Sequence, residues 1–388
     1  MPDPVIDIDS HIWENLPLMA EYLDPAYRDL ALSIEVDERG LEYMRVEGRR
    51  PHNLFLREGR FGRMAAGKSI EEKRDIYLKP GVVSYEQGLV NVPASHQPGP
   101  RVQVLDQEGI DTSFIYPTLG LHWETDVRDP NVAAAYARAY NDYVFDFCSD
   151  YPDRLKPIAH ITLLDIEAGV GELRRMADLG VTAALISGFP LNGRSYGDPA
   201  FDPFWSALEE LQIPVTLHVV GGLYPFYNPN FPSTTLNDLP DSDIWYFILQ
   251  EPPAVHLGFG SMIAGRVFDR FPGLKAVLLE TGSAWMLYWF ERMDGIIDSF
   301  PGTSEMSLYP SEYFKRQVWT SMDPDEELAP LVVERFGSNK FMWGADFPHS
   351  EGMLGAVDEL RESLKPLPSD AQANILGLNA LALYRLPS

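Results

Sequence analysis

Cysteine is almost absent: Cys148 is the single one in 388 residues. That excludes an intramolecular disulfide and a zinc–thiolate cluster. With Tyr140, Tyr143 and Phe147 nearby, Cys148 reads as a small buried apolar residue on a helix rather than a nucleophile. Positive charge is also scarce, 31 Lys and Arg against 57 Asp and Glu, for a net charge of -26. Such a field repels polyanions, so a nucleic-acid partner is not expected, nor an anionic membrane surface. One buried cation would still admit an anionic small substrate. No apolar run approaches the length of a membrane span. The acidic, proline-bearing N-terminus lacks the charged-then-apolar pattern of a signal peptide, so a cytoplasmic enzyme is expected. Internal repeats and low-complexity tracts are missing too.

What is present is a globular composition, 45% apolar and 23% charged, with enough length for a large core. Short β-rich runs recur at 4–9, 111–116, 155–163, 181–187, 213–219, 274–280, 316–320 and 340–345. Amphipathic stretches at 131–150, 166–179, 200–211, 261–271 and 325–336 lie between them. Strands alternating with helices predict parallel βαβ units, and eight such units predict a distorted (β/α)8 TIM barrel. A doubly wound sheet would more often carry a Gly-rich phosphate turn after its first strand; here that turn is Asp9-Ser10-His11. Residues 1–388 read as one domain. A long N-terminal excursion, about 15–100, and a second at about 220–260 are expected over the C-terminal mouth. The second is rich in aromatics, including Tyr224, Phe226, Tyr227, Trp245, Tyr246 and Phe247.

Barrel enzymes of this type work at the C-terminal ends of their strands, so ionisable residues at strand exits are the candidates. In the first run, Asp7, Asp9 and His11 share one face by period two, between Val5, Ile6 and Ile8. Burying three polar side chains there is costly unless a cation or a hydrogen-bond network receives them. The fifth strand ends at His218. The sixth ends in Glu280, a carboxylate after an apolar run, and the eighth in Asp346-Phe347-Pro348-His349. Two histidines and two carboxylates at one mouth fit a divalent cation.

The order Asp-x-His at strand one, His at strand five and Gly344-Ala345-Asp346-Phe347-Pro348-His349 at strand eight resembles the amidohydrolase superfamily. Within it the chain resembles the branch typified by aminocarboxymuconate-semialdehyde decarboxylase. The segments Asp106–Asp111, Arg270–Lys275 and Glu280–Trp285 also match, and the resemblance spans about 4–385. It implies one divalent metal (zinc, manganese or iron) held by Asp9, His11, His218 and Asp346, with Asp7 in support. Asp346 would also serve as general acid or base. Two departures stand out. Asp9 replaces the first histidine of many relatives and favours a harder metal such as manganese or iron. Glu280 replaces the strand-six histidine usual in the decarboxylases; it is either catalytic, a ligand of a second metal, or structural. The fourth strand has no lysine for a carbamate bridge, so one metal is favoured over two.

Around this set, His122, Trp123, His160, Arg194, Trp285 and His349 are pocket candidates. His160 also reads as a satisfied core histidine, Arg194 as a surface ion-pair partner, and Trp285 as the tryptophan nearest the mouth. His349 and Glu351 would orient a ligand from behind. The expected function is non-oxidative decarboxylation of a small carboxylated substrate, for which the aromatic excursions suggest a ring. The alternatives are hydrolysis of an ester, thioester, amide or carbon–carbon bond by a metal-bound hydroxide, and a decayed barrel that only binds. Relatives of this branch imply a homodimer.

Overall fold

β1 (Ile6–Ile12) is buried along its whole length, as its Ile6, Ile8 and Ile12 demand. It pairs in parallel with β4 (Thr112–Pro117), which pairs in turn with β5 (Leu155–Pro157). Between these in sequence, β2 (Ser33–Val36) and β3 (Glu42–Arg45) form an antiparallel hairpin of their own. The second parallel sheet has six strands in the order β11-β10-β9-β8-β7-β6. These are β6 (Ala159–His160), β7 (Ala184–Ser187), β8 (Val215–His218), β9 (Ala276–Leu279), β10 (Val318–Met322) and β11 (Phe341–Trp343). The computed structural model describes residues 3–387 except 39, 52–83, 192, 220–250, 303, 350, 351 and 353. The aromatic cluster expected at Tyr224–Phe247, the middle of the first excursion and Glu351 therefore lie outside the described residues.

Strand order follows chain order, and helices fill most of the crossovers, as parallel pairing requires. Asp129 caps the helix Pro130–Ser149 by accepting the Asn131 N–H, with Pro130 in its first turn. Its buried side, Val132, Tyr136, Ala137, Tyr140, Tyr143, Val144 and Phe147, follows the helical period. The helix Ile166–Asp178 is capped in the same way by Asp165, which accepts from Ala168. Losing such a cap costs about 1 kcal/mol. No helix among the described residues is long and apolar enough to cross a membrane.

Two buried clusters result. One fills the space between strands and helices, and includes Trp205, Phe204, Phe259, Phe268, Phe314 and Trp343. The other, inside the strands, joins Ile6, Ile8, Phe114, Tyr116, Leu185, Val277, Leu279 and Met342 to Tyr384. At the seam between β1 and β11, Asp346 N–H donates to the Asp9 carbonyl at 2.8 Å, and Ser10 bridges to Phe347.

Three expectations need correction. The third run, read as one strand over 155–163, divides into β5 and β6. The helix read at 261–271 begins much earlier, as Glu251–Ala264, and a separate turn of helix follows at Val267–Arg270. Residues 251–260, placed in the second excursion, are thus helical. The seventh strand ends at Met322 rather than 320, which puts Asp323 at its exit.

Candidate metal centre and active site

A bulge shapes the first strand exit. Pairing with β4 shifts register between Asp7 and Ser10, which breaks the simple alternation expected of Asp7, Asp9 and His11. Asp7 turns to the backbone: it accepts the N–H groups of Asp9 (3.0 Å) and Ala345 (3.1 Å) and the Ser113 hydroxyl (2.9 Å). Asp9 and His11 turn to the mouth. Gly344 lets β11 come this close, because a Cβ there would sit 2.2 Å from that of Asp9. Gly188 does the same at β8, where a Cβ would lie 2.5 Å from the His218 carbonyl oxygen.

His11 and His218 are fully buried, and each is tethered by Nδ1. The His11 Nδ1–H donates to the Pro117 carbonyl and the His218 Nδ1–H to the Val219 carbonyl, both at 2.8 Å. Both Nε2 atoms are thereby aimed inward. His11 Nε2 lies 3.2 Å from Asp9 Oδ1 and 3.3 Å from Asp346 Oδ1; His218 Nε2 lies 3.3 Å from the same Asp9 oxygen. Glu280 Oε2 approaches His218 Nδ1 at 3.6 Å. One ligand atom from each of Asp9, His11, His218 and Glu280 falls within 4.8 Å of the others.

Behind Asp346 stands His349. Its Nδ1 is 2.7 Å from Asp346 Oδ1 and its Nε2 is 2.9 Å from the Thr118 hydroxyl, so both ring nitrogens are engaged. Its ring lies 4.0 Å from that of His11. Glu14 fixes the loop bearing Thr118, accepting from the Leu119 N–H at 2.9 Å and the Gly120 N–H at 2.8 Å.

Electrostatics follow from this crowding. Burial works against protonation of His11, yet Asp346 and Asp9 push its pKa up to about 10. Burial would raise Asp9 and Asp346, but their histidine partners hold both below the usual carboxylate range. Asp7, without a cation beside it, is pushed up to about 7, chiefly by burial. Glu280 (φ 58°) and Asp346 (φ 50°) both occupy the left-handed region. That conformation costs about 1–2 kcal/mol per non-glycine residue and tends to collect at functional sites.

This donor set fits a divalent cation. Carboxylates converging in a buried site repel one another unless a positive charge joins them. Histidines tethered by Nδ1 with Nε2 free to ligate are what metal sites use. Asp9, His11, His218 and Glu280 form one group with the spacing to hold such an ion, and His11, Asp346 and His349 form a second.

The other predicted residues have different surroundings. His122 is buried close enough to His349, His218 and His11 to feel their charges, and burial first, then those histidines, push its pKa down to about 3. Trp123 and His160 pack on each other with ring centroids 5.2 Å apart, and His160 Nε2 is 3.3 Å from Glu124. His160 pairs with Leu185 of the inner cluster, and neither it nor Trp123 is among the grouped ligand residues. Arg194 is also elsewhere: its exposed guanidinium lies 3.6 Å from Asp198. Trp285 stacks on His256 at 4.0 Å and donates to the Gly282 carbonyl, beside the Glu280 exit.

A profile of the amidohydrolase family matches residues 6–386. The chain belongs to that family. It is an enzyme of the amidohydrolase type, and its matched region contains every residue of the cluster. It is 26% identical over 295 residues to 2-amino-3-carboxymuconate-6-semialdehyde decarboxylase of Dictyostelium discoideum, an alignment covering 74% of this chain and 77% of that protein. An amidohydrolase from Mycobacterium avium subsp. paratuberculosis superposes with a TM-score of 0.79 at 25% identity, over 99% of this chain and 100% of the other. 5-Carboxyvanillate decarboxylase from Novosphingobium aromaticivorans, solved with manganese, gives 0.69 at 18% identity over 99% and 98%.

Sequence reasoning missed Asp323 in this amidohydrolase because the seventh strand was ended two residues short of its exit. Part of Asp323 stays open to solvent. Even so, the protein packed around it and the charges of Glu326, Asp325, Asp9 and Asp346 push its carboxyl up to about 7. Thr118 and Glu14 were missed as supports because nothing local marks them; only the fold brings them to His349 and to the β4 exit.

Proposed function

We propose that this amidohydrolase is a metal-dependent, non-oxidative carboxy-lyase acting on a small carboxylated, ring-bearing substrate. The observation that carries the reading is the pair of tethered histidines, His11 and His218, aimed at Asp9, with Asp346 closing the set. The decarboxylases among its relatives support the lyase class, and the manganese of the Novosphingobium enzyme supports a hard divalent ion in this carboxylate-rich site. The same reading takes residues 1–388 as one (β/α)8 unit closed at the β1–β11 seam, with 15–100 inserted. It also takes the protein as a cytoplasmic homodimer.

Asp9, His11, His218 and Asp346 would hold a divalent cation, which would supply Lewis-acid stabilisation of charge on the substrate. The protein's side chains do the rest. Glu280, at the opposite side of the mouth, or Asp346 once it has taken a proton from the incoming substrate, delivers a proton to the carbon that bears the carboxylate. The bond from that carbon to the carboxylate then breaks. Its electron pair stays on the ring carbon, restoring conjugation, and carbon dioxide departs. His349 orients Asp346, and neutral His122 offers a hydrogen-bonding face without adding charge.

Glu280 favours a second reading, hydrolysis, since a carboxylate can take a proton from attacking water as readily as it can donate one to carbon. Carbon dioxide release decides between them. Protein loaded with manganese should release it from one or more of a panel of hydroxylated aromatic carboxylates, and a chelator should stop it. Turnover of esters or amides with no turnover of any carboxylate would refute the lyase assignment.

A further inference from the structure

We propose that Arg101 is a positioning residue for the metal centre, clamping the two strand exits that carry His11 and Asp346 and thereby setting affinity for the cation. The proposal rests on the metal-centre reading above and concerns a residue that makes no contact with the ligand atoms themselves.

Arg101 lies on the helix Pro98–Glu108 and is completely buried. Desolvating a guanidinium is costly unless its charge and donors are received. Among the described residues no carboxylate comes within ion-pair distance of it; the nearest influence of that kind is the longer-range attraction of Asp7. Its nitrogens are spent instead on the β1 exit and its support. Nε donates to the Ala94 carbonyl at 2.7 Å, Nη1 to the Ser10 hydroxyl at 2.9 Å, and Nη2 to the His11 carbonyl. The guanidinium carbon also sits 4.8 Å from the centroid of the Phe347 ring, a cation–π contact.

These contacts join both sides of the seam. The Ser10 hydroxyl, which accepts from Arg101, donates to the Phe347 carbonyl at 3.2 Å; the same carbonyl accepts the His11 N–H at 2.7 Å. Arg101 therefore holds residues 10 and 11, which flank or are ligands on β1, and residue 347, next to the ligand Asp346. A planar fork is needed to reach three acceptors and a ring at once. Lysine, a single point charge, cannot reproduce that geometry.

Partners that orient metal ligands typically change affinity by about 10–100-fold when removed. The test titrates Mn2+ alone into the metal-free full-length wild type, Arg101→Lys, Arg101→Met and Ser10→Ala, at a temperature where circular dichroism shows each folded. Thermal unfolding of the metal-free proteins is measured in parallel. Wild type should bind about one Mn2+ per chain; Arg101→Lys should bind about 10–100-fold more weakly, and Ser10→Ala should be weakened in the same direction. Lower melting temperatures with dissociation constants unchanged within twofold would show a merely structural role and overturn the proposal. If Arg101→Met does not fold, the other two variants still decide. Failure of wild type to bind Mn2+ would instead refute the metal-centre reading itself, which separates the two failures.

Discussion

His11 Nε2 stands between two carboxylates, 3.2 Å from Asp9 and 3.3 Å from Asp346. In the metal-free protein this imidazole carries a proton that Asp346 and Asp9 retain, against burial, up to about pH 10. A cation must displace that proton, because only the unprotonated ring is a ligand.

Metal uptake should therefore release protons and tighten as pH rises. Calorimetric titration at pH 7.5 in buffers of different ionisation enthalpy should show about one proton released per metal bound. Affinity that is flat between pH 6 and 8.5 would contradict this. The same shift has a sign for stability. The folded pKa of His11 lies above its ordinary value of 6.5. Its contribution to the metal-free protein is complete below about pH 6.5 and is lost as pH rises through about 10. Denaturant unfolding of metal-free wild type should weaken across that window, and His11→Asn should flatten the slope.

Asp346→Asn keeps the shape and removes the charge. Both the His11 and the His349 contacts weaken, and the acid–base function is lost. Metal affinity should fall, and turnover under saturating metal should drop about 10²–10⁴-fold. Elemental analysis together with kcat measures the two losses separately. Unchanged metal content with undiminished turnover would remove Asp346 from both roles.

Glu280→Gln separates the roles of the strand-six carboxylate. If Glu280 moves the proton, kcat should fall about 10²–10⁴-fold while the Mn2+ dissociation constant changes less than threefold. Parallel loss of affinity would make Glu280 a ligand. If neither changes, its strained backbone serves only the turn into Thr281-Gly282.

Gly344→Ala should be disproportionately harmful for one methyl group. The new Cβ would overlap that of Asp9, 2.2 Å away, and would sit 3.2 Å from its Cα. Overpacking of this kind costs about 1–3 kcal/mol. Chemical denaturation should show that loss together with weakened metal binding, since the displaced residue is a ligand. An unperturbed midpoint would mean that β1 and β11 are not closely apposed at Gly344.

Much of this site was legible in the chain because ionisable residues closing apolar β-runs are costly unless used: Asp9, His11, His218, Glu280 and Asp346 all stand out that way. What failed to show was whatever depends on distant partners. Arg101 looks like any helix arginine until Ser10, His11 and Phe347 surround it. The bulge in β1 leaves no local mark either, so period two alone puts Asp7 on the face of Asp9. Helix Glu251–Ala264 was hidden because it is apolar nearly all round and opens on Pro252-Pro253, which erases the helical period. His160 illustrates the opposite ambiguity. A histidine at a barrel-strand exit reads the same whether its ring meets a ligand cluster or, as here, lies 3.3 Å from Glu124 while Asn141 holds its backbone.

The measurement that bears most directly on the proposed chemistry is turnover of a hydroxylated aromatic carboxylate by the manganese-loaded enzyme in D2O, with products analysed by mass spectrometry. The expected result is carbon dioxide equimolar with a product carrying one deuterium at the carbon vacated by the carboxylate, formed about 10²–10⁴-fold more slowly by Asp346→Asn. A product that keeps its carboxylate and has gained an oxygen from solvent would contradict the carboxy-lyase assignment and make this amidohydrolase a hydrolase.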